Sequence, residues 1–479
     1  MRALLLIHRY LGVAVGLLMA LWCLSGVVMI HHHFPQLTAT QRLRGLEPLR
    51  LQGCCAGRLD LGAANLARGF SIEMLAGRPV LRTAGPAGAR TLDLASGSPS
   101  PGIGAAGALA VARAYVAGHG LAGRPRLLGR VDADQWTVEQ ARSGPFFRLD
   151  LGDRDRTELY VRVRTGEAAQ AATRAERRWA WLGPIPHWLY PYALRRHPAA
   201  WSALVVWTSL VGVFLTLTGL YVGMGRFRRG ADGRWSPYRG WRYWHHLAGL
   251  AFGALLFTWT ASGWLTMTPW GLLDSDPGAA VQEAVAGEVT AAEIQSFLAH
   301  AGGPWPTGAV ALQSAALGGR LFVMATGPDG RQARYDALGR PSPLTPGEVS
   351  AALARAGPVR GMELATREDD YHHSGYDGPA QLPAYRARLP GSVTVYLDPA
   401  SGRVLQAVDD TARQSRWLRT GLHDLDFAWL GPARVRDAVM LMLLAGAGAV
   451  SLTGAWLALK RATRDLRGLG RGVARRADK

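Results

Sequence analysis

Four histidines stand in two matched contexts. His8 and His245 each open an apolar run, and in both runs a Gly, a Trp and a Ser-Gly pair follow: Gly12, Trp22 and Ser25-Gly26 after His8, and Gly249, Trp259 and Ser262-Gly263 after His245. The Gly, Trp and Ser lie four, fourteen and seventeen positions after the histidine in each copy. His187 and His423 share a second context. Trp181-Leu182 and Trp417-Leu418 precede them by six and five positions, and each leads into an apolar run that ends in Thr-Gly, at Thr218-Gly219 and Thr453-Gly454. A histidine on an apolar membrane segment is costly and marks a functional site by default, and neutral imidazole is an axial ligand of haem iron. Paired as His8 with His245 and His187 with His423, these residues predict two b-type haems at two depths. Two axial imidazoles fill the coordination sites of the iron, which suits electron transfer. The competing role is structural: a histidine at a membrane boundary can anchor at the interface or cap a helix, and duplication copies any histidine, useful or not.

Other histidines compete for the same role. His246 adjoins His245, but the register with His8 favours His245, and His246 aligns with Arg9 instead. His31-His32-His33 follows the first apolar run and has no histidine counterpart near Thr268-Pro269-Trp270. It reads as an interfacial or metal-binding loop, with His31 a secondary haem ligand. His197 is a further candidate without a mate. His372-His373 reads as a solvated loop, with metal or substrate contact as the alternative, and His119 and His300 read as surface residues. Arg9, Arg195 and Arg242 lie near the proposed ligands and could neutralise haem propionates, or serve topology and surface charge. Gly102-Ile103-Gly104-Ala105-Ala106-Gly107 matches a dinucleotide fingerprint but follows Ser98-Pro99-Ser100-Pro101 rather than a buried strand, so no nucleotide site is expected there. With no NAD(P)H site of its own, the chain would take electrons from a quinol or a separate reductase.

The elements that must position these residues are membrane helices. Tyr10–Ile30, Ala199–Met224, Leu247–Leu273 and Ala438–Leu459 are uncharged and apolar, and about 20 such residues cross a ~30 Å hydrocarbon layer. The first run is too long for a signal-peptide core and reads as an uncleaved anchor. The order is then helix 1 at 1–30, an outer region at 31–198, helix 2 at 199–225, a basic loop at 226–244, helix 3 at 245–273, a second outer region at 274–437, helix 4 at 438–459 and a basic tail at 460–479. Six arginines in the loop and eight basic residues in the tail, through Lys479, place both termini in the cytoplasm of a bacterial inner membrane and both long regions in the periplasm. Those fourteen residues account for much of the net charge of +19. Nucleic acid is therefore excluded as a partner in favour of the lipid bilayer and anionic substrates. Cys23 reads as core. Cys54-Cys55 reads as unpaired, since bonds between adjacent cysteines are strained, and no Cys-x-x-Cys-His is present for covalent haem. The Ser/Thr-Gly steps read as points of close helix approach, with room for a porphyrin edge as the alternative.

The outer regions alternate in polarity. Ala384–Leu389 and Ser392–Pro399 predict strands separated by a turn at Gly391, and Phe147–Leu151 with Glu158–Val163 echo them. Tyr160 and Gly166 lie 236 positions before Tyr396 and Gly402. Thr91–Gly97 precedes a helical pattern at Ala105–Val116, and Arg334–Gly339 precedes one at Thr345–Ala356, where Pro346 suits a helix start. The expected fold class is a membrane α-helical protein of four transmembrane helices, duplicated two-plus-two, with two periplasmic α+β regions.

At these residues the chain resembles a known family. The Tyr-Leu-Asp-Pro-x-x-Gly-x-Val hairpin at Tyr396–Val404 is similar to a PepSY domain, and the His-x-x-x-Gly openings with Ser/Thr-Gly exits resemble PepSY-associated transmembrane helices. Gly183–Tyr190, Tyr243–His246 and Gly421–Phe427 fit the same family. The resemblance covers nearly the whole chain. It implies an iron-regulated inner-membrane protein, and some members are di-haem reductases of ferric siderophores, so a ferric siderophore or other periplasmic acceptor is the implied partner. The other function class is a membrane-anchored PepSY module that binds or restrains a peptidase or uptake partner without haem.

Overall fold

The computed structural model describes residues 2–55, 69–83, 90–229, 233–303, 305–375, 378–430 and 433–477. Lys479 of the basic tail lies outside them. The chain divides into two compact units: 1–34, 178–274 and 414–479 form one, and 35–177 with 275–413 form the other.

The first unit is a helix bundle. Four helices are long and apolar enough to cross a membrane: α1 (Arg2–Met29), α2 (Pro198–Arg226), α3 (Trp241–Thr266) and α4 (Ala433–Ala477). This is a multi-pass membrane protein, and its outward faces agree: Leu17, Leu24, Phe214, Tyr221, Met442 and Trp456 are large, apolar and exposed, which a bilayer tolerates and water does not. Helices α3 and α4 differ from the sequence reading. Helix α3 starts six residues earlier than Leu247 and stops at Thr266, because Thr268 and Trp270 take left-handed backbone conformations that end it. His245 is thus inside the helix rather than at its edge. Helix α4 runs on through the basic segment to Ala477, since Lys, Arg, Leu and Ala all favour helix and a change of polarity does not stop one.

Helix α1 packs on α2 and α4, and α3 packs on α2 and α4. Small residues set the approach: a Cβ on Gly16 would stand 3.5 Å from the Ala455 backbone, and Ala447 is fully buried. Val15, Met19, Cys23, Leu215, Leu256 and Val450 fill the middle of the bundle, with Trp22 and Trp259 packed against them. Short helices at Pro184–His187 and Leu422–Asp424 lie against α1 and α3 respectively.

The second unit holds three antiparallel sheets. Strands β1 (Phe70–Leu75), β2 (Arg78–Thr83) and β3 (Arg90–Asp93) are followed by β4 (Arg126–Val131), β5 (Phe146–Asp150), β6 (Glu158–Arg162) and β7 (Ala168–Ala172). The later segment adds β8 (Ala311–Leu317), β9 (Arg320–Thr326), β10 (Gln332–Asp336), β11 (Met362–Ala365), β12 (Ala384–Arg388), β13 (Thr394–Leu397) and β14 (Val404–Val408). Strands β4–β7 and β11–β14 form two four-stranded meanders, and the third sheet runs β10-β9-β8-β1-β2-β3. The two long segments between the membrane helices, separate on sequence, share this six-stranded sheet through β1 and β8, where Ile72 aligns with Leu312.

The expected helices lie where the patterns place them, at Ala105–Gly118 and Pro346–Leu353. Thr345 and Glu348 form a reciprocal capping box around Pro346. Each hairpin tyrosine is tied to a carboxylate. Tyr160 Oη donates to Asp134 at 2.7 Å, and Tyr396 Oη donates to Asp369 at 2.7 Å. Burial and these carboxylates hold both phenols above their usual range. Gly166 and Gly402 turn the hairpins with φ of 70° and 75°, where a Cβ would also collide with Leu75 and Leu317.

Three sequence readings need correction. Cys54 and Cys55 are joined by a disulfide; Cys55 takes a left-handed backbone, φ 73°, which turns its side chain towards its neighbour. His372 is buried, stacked on Tyr396 with its Nε2–H donating to Gln381 O at 2.9 Å. The loop is folded down because Asp369, its anchor, also accepts the backbone N–H groups of Tyr371 and His372. His119 is half-buried, stacked on Tyr115 and donating to its carbonyl at 2.8 Å.

One buried charge cluster holds the first part of the shared sheet. Glu73 accepts from Arg42 and from Arg82 Nε at 2.9 Å, and Arg82 also donates to Thr165 O and Thr91. Removing one partner of such a cluster strands a buried charge. Glu73→Ala should therefore destabilise the protein by about 3–5 kcal/mol in chemical unfolding, whereas Asp329→Ala, at an exposed pair with Arg331, should change it by under ~1 kcal/mol.

Candidate functional site

The four matched histidines meet in two pairs inside the bundle unit. The ring centroids of His8 and His245 are 6.3 Å apart with planes at 30°, and those of His187 and His423 are 6.2 Å apart with planes at 68°. His187 hydrogen-bonds to Ser25 and His423 to Ser262. On α1, Ser25 is seventeen residues past His8, so the two pairs are about 25 Å apart along the helix axis.

Each imidazole is seated the same way. His8 Nδ1 lies 3.1 Å from Leu215 O and 3.5 Å from Thr218 Oγ1 on α2. His245 Nδ1 lies 3.2 Å from both Val450 O and Thr453 Oγ1 on α4. His187 Nδ1 contacts Trp22 O and Ser25 Oγ on α1, each at 3.1 Å, and His423 Nδ1 contacts Ser262 Oγ on α3 at 3.2 Å. A carbonyl oxygen only accepts, so Nδ1 carries the proton in the first three. In the fourth, Ser262 donates its own proton to Trp259 O at 3.1 Å and accepts from the ring. All four rings therefore share one tautomer, Nδ1–H with a lone pair on Nε2. Among the described residues no hydrogen bond engages any of these four Nε2 atoms. Desolvation and the neighbouring His423 push the His187 imidazole down to about 4, which keeps that ring neutral at physiological pH.

The Ser/Thr-Gly steps make these seats. A Cβ on Gly219 would lie 2.7 Å from His8 Cε1, one on Gly454 2.9 Å from His245 Cε1, and one on Gly263 3.1 Å from His423 Cε1. At Gly26 the distance to His187 Cε1 is 3.7 Å, ordinary contact. The hydroxyl takes the ring N–H and the missing side chain leaves room for the ring. Sequence reasoning assigned these steps to close helix approach, with room for a porphyrin edge as the alternative. The signal that could have revealed the seats was present, because each apolar run holding or following a histidine ends in one.

The competing histidines are placed elsewhere. His246 is buried with both nitrogens engaged: its Nε2–H donates to Gly223 O and its Nδ1 accepts from Ser236 Oγ, both at 2.8 Å. It is the opposite tautomer and has no lone pair to offer. His31 is exposed, and His32 stacks on Trp179 at 4.2 Å. His197 sits exposed at the N-terminus of α2, with its Nε2 accepting from Arg196 Nε. The Arg195 guanidinium lies over the Trp201 and Tyr190 rings, 4.5 and 5.1 Å from their centroids.

If glycine is required for ring clearance, substitution should discriminate between sites. Gly219→Ala and Gly454→Ala should each lower stability by about 1–3 kcal/mol through overpacking. Gly249→Ala, in the same bundle with open space around its Cβ, should be neutral or stabilising by up to ~1 kcal/mol. Thermal unfolding of the purified variants measures the contrast.

No protein of curated function matches the chain. The family described as the PepSY-associated TM region matches residues 5–316, a stretch that includes His8, His187 and His245 and both Ser-Gly seats. The chain belongs to the family of the PepSY-associated TM region.

Proposed function

We propose that this protein is a b-type di-haem electron-transfer protein of the bacterial inner membrane. It would pass electrons from a quinol or a separate reductase to a periplasmic acceptor, with ferric siderophore as the favoured one. The observation that carries the reading is the pairing of the four imidazoles: each ring is held at Nδ1, its Nε2 makes no hydrogen bond among the described residues, and the paired centroids are 6.2–6.3 Å apart. Two imidazoles that share one metal at about 2 Å from each nitrogen have their ring centres roughly 6 Å apart. Nδ1–H bound to a carbonyl or hydroxyl is the usual support of a metal-ligating histidine, because it fixes the tautomer and raises the basicity of Nε2.

The donor set also favours a group that brings its own equatorial ligands. Among the described residues no three His, Cys, Asp or Glu side chains gather as a metal site, so each site offers an imidazole pair. His8 and His245 would hold one haem, and His187 and His423 the other. Bound there, haem iron supplies one-electron redox chemistry. The chain's part is to hold and orient the four imidazoles within α1–α4. The matched spacing and the matched seats support reading the bundle as a two-plus-two duplication, with the α+β unit and its PepSY-like hairpins in the periplasm and both termini in the cytoplasm. Reduction of a ferric chelate weakens its hard oxygen-donor bonds and releases the metal, which is the benefit of an acceptor site outside the cytoplasm.

The test is optical. Protein purified from cells grown with ample haem should show Soret and α bands of a b-type haem in its reduced-minus-oxidised spectrum. His8→Ala and His423→Ala should each remove about half of the haem. A folded, colourless preparation would sink the proposal and leave a membrane-anchored PepSY binding module.

A further inference from the structure

Arg195 is clamped by aromatic rings and answered by no anion. It ends the short helix Tyr192–Arg195, between the turn that carries His187 and the start of α2. Its guanidinium lies 4.5 Å from the Trp201 centroid and 5.1 Å from that of Tyr190. Both rings are fixed in turn. Tyr190 is buried, its backbone N–H donates to Ile185 O at 2.8 Å, and its ring stands edge-on to those of Phe34 and Trp188. Trp201 donates its indole N–H to Trp188 O at 3.0 Å and stands edge-on to Tyr190. Trp188 is the neighbour of His187 in the chain, so one aromatic cluster links the guanidinium to the His187–His423 pair.

Aromatic faces stabilise a cation from above and below but accept nothing in the guanidinium plane, where its five N–H bonds point. The half-buried Arg195 side chain makes no hydrogen bond or ion pair among the described residues, and its Nε is enclosed without an acceptor. The next residue differs, since Arg196 Nε donates to His197. The surrounding chain offers Arg195 no carboxylate. Neither residues 1–46 nor 177–231 contain an Asp or Glu. Among the described residues none of Asp274, Asp424, Asp426 and Asp437 pairs with Arg195, and the last two meet Arg416 and Arg436 instead.

A planar fork that is held in place with its donors unmet is a receptor for a carboxylate, which takes two parallel N–H bonds. Haem carries such groups as its propionates, and the enclosed Nε beside the His187 segment fits one. Resting on the di-haem reading, we infer that Arg195 holds a propionate of the haem bound between His187 and His423. Arg195 is a positioning residue there. It keeps the propionate ionised, and its positive charge favours the ferrous state of that haem.

The test uses the H8A background, in which the His187–His423 haem alone should remain. In redox titrations of the detergent-purified full-length protein, H8A/R195Q should have a lower midpoint potential than H8A. The expected shift is roughly tenfold in the ferrous/ferric equilibrium, which is about 59 mV for one electron. H8A/R196Q, which removes the adjacent exposed charge, should keep the potential of H8A, and R195Q should change nothing in the H423A background. Infrared redox-difference spectra with isotope-labelled propionate carboxyls should show a labelled carboxylate band in H8A that moves in H8A/R195Q. An unchanged potential in H8A/R195Q, an equal shift from R196Q or in the H423A background, or an unmoved propionate band would each overturn the inference. If the R195Q variant does not fold, the labelled band of H8A decides. One propionate should stay ionised well below the ordinary carboxylate range, and propionates that all titrate within that range overturn the assignment. Protein without haem would instead sink the di-haem reading, so the two failures are told apart.

Discussion

An imidazole inside an apolar bundle must satisfy its N–H without water, and that constraint organises the membrane unit. A buried polar group left unpaired costs several kcal/mol in hydrocarbon. Each of the four histidines meets it by reaching across to a different helix and donating to a carbonyl, a hydroxyl or both. The hydroxyls accept because their own protons are directed back along their helices, Ser25 to Leu21 O and Thr453 to Ala449 O. The result is a fixed tautomer. A ring that donates from Nδ1 in this way leaves Nε2 as its free nitrogen.

Close packing makes the arrangement possible. A hydroxyl can meet an imidazole only where the two backbones approach, and Gly219, Gly454 and Gly263 allow the approach by leaving the space of one Cβ. The same economy of side chains recurs where Gly16 faces Ala455. The bundle interior is filled mainly by apolar side chains, the Trp22 and Trp259 indoles among them, and its buried Thr216, Thr260 and Ser451 hydroxyls donate back to carbonyls of their own helices. His246 illustrates the alternative. With its N–H on Gly223 O and a hydroxyl on its other nitrogen, it is a structural bridge and has nothing left for a ligand.

The α+β unit follows a different logic. Its two outer segments each form a meander with a tyrosine tied to a carboxylate, Tyr160 to Asp134 and Tyr396 to Asp369. Neither segment completes the third sheet. Strands β1–β3 and β8–β10 join edge to edge through β1 and β8, which leaves a single continuous core of Ile72, Leu81, Leu312 and Val323 under helix Ala291–His300. Joining two half-sheets removes two open edges, and the outer strands are further closed by bridges at Leu92–Pro99 and Tyr335–Pro341, where proline discourages further pairing.

Local pattern alone carried much of this protein. Runs of uncharged residues long enough for a bilayer specify four helices, alternation specifies the Phe146–Arg162 and Ala384–Leu397 hairpins, and repeated spacing singles out His8, His245, His187 and His423, because each of these signals lies within a few turns of chain. What tertiary structure decided are relations between distant residues. His8 reaches Thr218 and Leu215, and Ser25 meets His187, across more than 160 positions; no spacing rule encodes such partners. The same holds for the β1–β8 pairing, for the burial of His372 on Tyr396, and for the different surroundings of His245 and His246. Adjacent in sequence, the last two point about 100° apart on one helix, so one faces its mate and the other faces the loop. Chain periodicity sets which residues share a face. Only packing sets what that face meets.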